Sequence, residues 1–137
     1  MRNGWTFPKD ECQMRCHDAY DIPTDGTPNA FVGWEHSRHK FFHQWIPGAF
    51  AHWAKEHNGE DGPPGHVAIC AVRKGFIFST DAKLINGKVV YTPGQGWGRI
   101  PLAGIAQIWP DHRFLGFSLD IDGRTPVEPP RIRRRYP

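Results

Sequence analysis

Gly65-His66-Val67-Ala68-Ile69-Cys70-Ala71-Val72, then Arg73-Lys74-Gly75, then Phe76-Ile77-Phe78-Ser79-Thr80 is the stretch that decides the fold class. The flanking pieces are short apolar runs rich in strand-forming side chains. Three residues ending in glycine separate them, the pattern of two strands joined by a hairpin turn. Downstream the signal repeats: Asn86-Gly87 sits between Leu84-Ile85 and Val89-Val90-Tyr91, a strong hairpin sequence. Gly98 to Ile100 predicts one more short strand, Pro101 to Ile108 a brief helix, and Arg113 to Leu119 a last strand. Upstream the pattern is helical. Asp10 predicts an N-cap with Gln13 three residues on, opening a helix from Glu11 to Tyr20 that stops before Ile22-Pro23. Thr24 to Pro28 predicts a turn, and Asn29 a cap for a second helix carrying Ala30, Trp34 and Phe41. Ala49 to His57 predicts a short third helix, and Asn58 to Gly65 a Gly/Pro-rich loop. Helices first and an antiparallel sheet afterwards make an α+β domain over residues 1–124, followed by a Pro/Arg-rich extended tail over 125–137.

The whole chain has 137 residues, the size of one domain with a core of its own. No stretch approaches the roughly 18 apolar residues of a membrane span, and the N-terminus has no apolar run of the secretory kind. The expectation is synthesis in a cytoplasm without a signal peptide. Three cysteines cannot all pair, which argues against a disulfide framework. The net charge of +3 owes much to Arg131, Arg133, Arg134 and Arg135, a run that reads as a solvated tail with some attraction for polyanions.

Three residues offer chemistry. Cys12 falls at the second position of the first helix, where unpaired backbone N–H groups and the helix dipole favour a thiolate and can hold an oxyanion. Asp10 and Glu11 act against that charge. His66 opens an apolar strand behind a glycine that permits close backbone approach, a place from which an imidazole can take a thiol proton. Asp81 ends the next strand, where a hairpin would bring it beside His66 to orient the ring. Each has an ordinary reading too: a small buried apolar residue, a histidine at a strand start, a turn aspartate.

A resemblance adds to this. Gly65-His66-Val67-Ala68-Ile69, Phe78-Ser79-Thr80-Asp81, Gly98-Arg99-Ile100-Pro101-Leu102 and the run from Phe114 to Gly123 occur in an order that resembles CHAP-like and NlpC-like peptidoglycan hydrolases, above all lysin domains of actinobacterial phages and their hosts. Cys12 with Ala19, Tyr20, Ile22 and Pro23 resembles the nucleophile helix of that group, and Ala30 and Trp34 its following helix. The resemblance implies a papain-like fold, with N-terminal helices carrying the cysteine and an antiparallel sheet carrying the histidine. It implies Cys12 as nucleophile, His66 as base, Asp81 as orienter, no cofactor, and peptidoglycan as partner, reached after release from the cytoplasm or from a virion. Two departures stand out: Glu11 and Gln13 flank the cysteine where glycine and leucine are usual, and Cys16 follows one helical turn on.

Competing patterns are weaker. Cys12 and Cys16 share a helix face, with His17 nearby, and His36, His39 and His43 would stack on the second helix, yet no spacing matches a zinc motif. Gly94-Gln95-Gly96 lacks a P-loop lysine, which argues against nucleotide binding. Trp34, Trp45 and Trp53 read as packing between helices and sheet. Trp97, in a Gly-rich loop, is the best candidate for a cleft wall, and Trp34 a second substrate-binding candidate. Two other functions fit the same residues: a non-catalytic phage inhibitor, tail component or basic nucleic-acid binder on the same fold, whereas the main reading expects no nucleic acid, and a cysteine amide hydrolase with a non-wall substrate.

Overall fold

A computed structural model describes residues 11–20, 29–121 and 123–124. The expected cap at Asp10, the turn at 24–28 and the tail at 125–137 lie outside the described residues. The elements are α1 (Glu11–Ala19), α2 (Ala30–His36), β1 (Lys40–Phe41), β2 (Phe50–His57), β3 (Glu60–Cys70), β4 (Phe76–Thr80), β5 (Ala82–Ile85), β6 (Lys88–Tyr91), β7 (Trp97–Pro101), a 3₁₀ turn (Leu102–Gly104), α3 (Ile105–Ile108) and β8 (His112–Ser118). Six strands form one sheet in the order β1-β8-β2-β3-β4-β7, antiparallel at each pairing, and β5-β6 is a separate hairpin. The class is α+β with a mostly antiparallel sheet. Among the described residues no helix is long and apolar enough to cross a membrane.

The central strands show how side-chain alternation builds two cores. On β2 and β3, Phe50 and Val67 pack under α1 and α2 with Cys12, Cys16, Ala30 and Ile121. Their neighbours Ala51, Trp53, Ala68 and Cys70 point the other way, to Ile77, Ile100, Ile105, Val89 and Phe117. Cys12, Cys16 and Cys70 are all buried.

Two expectations fail here, for physical reasons. Ala49 to His57 is no helix: residues 50–54 are buried in succession because β2 is covered on both faces. A strand without a wet face has no polar alternation to betray it, and its alanines suit either state until packing decides. The loop expected at Asn58–Gly65 is mostly strand β3. Asn58 and Gly59 take φ of 52° and 86°, forming the tight turn of a long β2–β3 hairpin.

The second helix starts as expected, with Asn29 Oδ1 accepting from Val32 N–H at 3.0 Å. It ends at His36, five residues before Phe41. The buried carboxylate of Asp120 accepts from the N–H groups of Arg38 (2.8 Å) and His39 (2.9 Å) and turns the chain into β1 beside β8. His39 and His43 therefore leave the helix, and the expected histidine stack does not form. Among the described residues no group of three or more His, Cys, Asp or Glu is placed to hold a metal ion.

Candidate active site

The β3–β4 ladder is short: Ile69 faces Phe78 and Cys70 faces Ile77. Toward the other end of the hairpin the two strands part. There a cavity of about 310 Å³ is lined by Pro64, Gly65 and His66 of β3, Thr80 of β4, and Cys12 of α1. Its remaining walls are Lys55, Tyr91, Trp109, Asp111 and His112. Residues separated by more than fifty positions in the chain thus meet in one hollow.

Gly65 makes the approach possible. Its φ is +75°, and a Cβ there would stand 2.6 Å from the Trp53 carbonyl oxygen and 3.0 Å from Phe31 N. The backbone of β3 can therefore run against both β2 and the start of α2, which sets His66 at the cavity wall.

His66 is 3% exposed. Trp53 and Trp109 flank its ring at centroid distances of 5.6 and 4.9 Å. Its Nε2 lies 2.8 Å from Ser79 Oγ. When Nε2 carries the hydrogen and the hydroxyl accepts it, the lone pair of the neutral ring sits on Nδ1. Burial, and secondly the charge of neighbouring His112, push the His66 pKa down to about 3. The ring is neutral at physiological pH.

The expected third member is placed differently. Carrying the β3–β4 register three positions beyond Ile69 and Phe78 sets Asp81 opposite His66. Asp81, however, has a left-handed backbone (φ 59°) that ends β4 and redirects its side chain. Its Oδ1 accepts from Gly96 N–H at 2.9 Å, while its own N–H donates to the Gly96 carbonyl at 2.6 Å. Asp81 thus ties down the loop before β7, and Ser79, two residues earlier, holds His66.

The tryptophans also divide otherwise than expected. Trp97 is partly exposed and pairs with Thr80 across β7 and β4, one strand over from the cavity. Trp34 packs against His52 (4.9 Å between ring centroids) and Phe42, with the Lys40 ammonium 4.5 Å from its ring centre. The aromatic walls of the cavity are Trp109 and Tyr91, whose rings are 5.2 Å apart.

A charged group faces them. His112 Nδ1 is 2.9 Å from Asp111 Oδ1, and Lys55 Nζ is 3.8 Å from Asp111 Oδ2. The His112 bond is the main cause that holds the Asp111 carboxyl below its usual range. Sequence reading misses Lys55 because β2 reads as a helix. It misses Asp111 and His112 because an Asp-His pair at the mouth of a strand resembles any turn.

Compared with protein families, with curated proteins and with solved structures, the chain matches none.

Proposed function

We propose that this protein is a cysteine-dependent amide hydrolase of papain-like organisation, with Cys12 as nucleophile, His66 as its base and Ser79 as the group that positions His66. The observation that carries the reading is that Cys12, at the start of α1, and His66, at the parting of β3 and β4, line the same cavity. Cys12 would attack an amide carbonyl while His66 Nδ1 takes the thiol proton. The backbone N–H of Cys12, at the second position of a nine-residue helix, would serve as one oxyanion donor. The resulting acyl-thioester would then be opened by water.

The substrate class follows from the resemblance of the segments around His66, Ser79, Arg99 and Gly116 to wall-lytic domains: amide bonds of peptidoglycan, met after release from the cytoplasm or from a virion. The test is clearance of purified actinobacterial peptidoglycan by the wild type beside Cys12→Ser. Clearance by the wild type alone, with new amines among the products, supports the reading, and product masses would name the bond. Equal behaviour of the two proteins removes Cys12 as nucleophile.

One observation favours a second reading, a binding domain on the same scaffold: Cys12 is 5% exposed. Alkylation separates the two. An enzyme has one fast-reacting thiol at neutral pH that slows in His66→Ala, whereas a binding domain has three slow ones.

A further inference from the structure

We propose that His112, held by Asp111, is a second acid–base group of this cavity and delivers the proton to the departing amine; the inference rests on Cys12 being the nucleophile. Three observations place it there. His112 and Asp111 line the same cavity as Cys12 and His66. Trp109 touches both imidazoles, at 4.9 Å from His66 and 5.3 Å from His112, so the two rings share one wall. And the Asp111 carboxylate, an acceptor only, requires the hydrogen of His112 on Nδ1, which makes Nε2 the nitrogen that exchanges protons with a substrate.

The division of labour follows from the two environments. His66 is sealed between indoles and bonded to a neutral hydroxyl, surroundings that disfavour a lasting positive charge. His112 has a carboxylate at 2.9 Å to offset one. In acylation the thiol proton goes to His66 Nδ1 as sulfur attacks. As the tetrahedral adduct collapses, the C–N bond breaks, its electron pair stays on nitrogen, and the Nε2 proton of cationic His112 goes to that nitrogen. The amine leaves and a thioester remains. Water then attacks the thioester and gives a proton to the now neutral His112. The C–S bond breaks, and sulfur takes a proton from solvent, in place of the one His66 gives up to solvent once the amine has left. Both imidazoles end as they began.

Leaving-group chemistry tests this. An amine must be protonated to depart and a nitrophenolate need not be. The probes are peptidoglycan peptides for amide cleavage and p-nitrophenyl acetate for ester acylation. In His112→Gln, amide cleavage should fall by about a hundredfold or more, the usual range for a lost general acid. The nitrophenolate burst should be unchanged, and mass spectrometry should find acetyl accumulating on Cys12, because deacylation has lost its base. Asp111→Asn, at a more exposed position, should move all three readouts the same way by less, and it carries the test if His112→Gln does not fold. An amide rate in both variants equal to wild type overturns the proposal, as does an ester burst that falls in step with the amide rate. Failure of the underlying reading looks different: Cys12→Ser would then keep the amide activity of the wild type.

Discussion

His66 is enclosed by Trp53, Trp109 and Ser79, and its one neutral hydroxyl partner separates this site from one oriented by a carboxylate. Removing that partner should cost positioning. In Ser79→Ala, the lost hydrogen bond is worth about 1–3 kcal/mol, or roughly a tenfold to hundredfold drop in turnover. Alkylation of Cys12 should slow in parallel, a change that a purely structural defect would not produce. Asp81→Ala should behave oppositely, because its carboxylate anchors Gly96 and not His66. The expected result is about 1–2 kcal/mol of lost stability in urea, with turnover per folded molecule retained. If Asp81→Ala abolishes turnover and Ser79→Ala does not, the assignment is reversed. That Ser79-Thr80-Asp81 ends the strand after His66 was legible, and alternation along the strand even pointed to Asp81. What sequence could not supply was the left-handed turn at Asp81 itself, fixed by its pairing with a loop fifteen residues away.

Where strands cross closely, glycine decides whether the elements fit. A Cβ on Gly98 of β7 would stand 1.6 Å from the Ala82 carbonyl of β5, backbone that cannot step aside. Gly98→Ala should therefore force the β5–β6 hairpin off the sheet, with a loss on the order of 3 kcal/mol or more. Gly65→Ala meets both a strained φ and the Trp53 carbonyl, and should cost about 1–3 kcal/mol while shifting His66. Its mark is a fall in Cys12 alkylation at temperatures where the protein is still folded, and circular dichroism with thermal melts checks both variants. Unchanged melting of Gly98→Ala would refute the close packing of β5 on β7. Among the elements themselves, those with local punctuation were legible: the α1 helix, the Asn29 cap, the turns at Arg73–Gly75 and Asn86-Gly87. β2 was not, because its two-sided burial erases the alternation that identifies a strand. The stop of α2 at His36 was not, because it is made by Asp120, more than eighty residues away.

Two buried histidines make the whole domain sensitive to acid. His66 and His52 are both pushed down to about 3 from an ordinary 6.5, in each case by burial first. His52 Nε2 is 2.7 Å from Ser118 Oγ, and its Nδ1 is buried without a partner. As pH falls below about 6.5, the unfolded chain takes up these protons and the folded one does not until about 3, so stability drops across that window and is complete above it. Each histidine contributes a slope of up to about 1.4 kcal/mol per pH unit. Urea midpoints followed by tryptophan fluorescence should be level between pH 7 and 8 and fall steadily toward pH 4. His52→Gln should roughly halve the slope, and a midpoint independent of pH between 7 and 4 would contradict the burial of both rings. The chain's local chemistry settled much of this molecule: the α+β class, the helix that presents Cys12, the strand that presents His66, the turns with their own glycines. These depend on neighbours a few residues apart, whose sterics and hydrogen bonds act in any context. Tertiary structure alone decided that β2 is a strand, that Ser79 and not Asp81 meets His66, and that Trp109, Lys55 and the Asp111–His112 pair close the cavity. Those outcomes depend on burial and on hydrogen bonds between groups distant in the chain, which have no energy until the sheet brings them together.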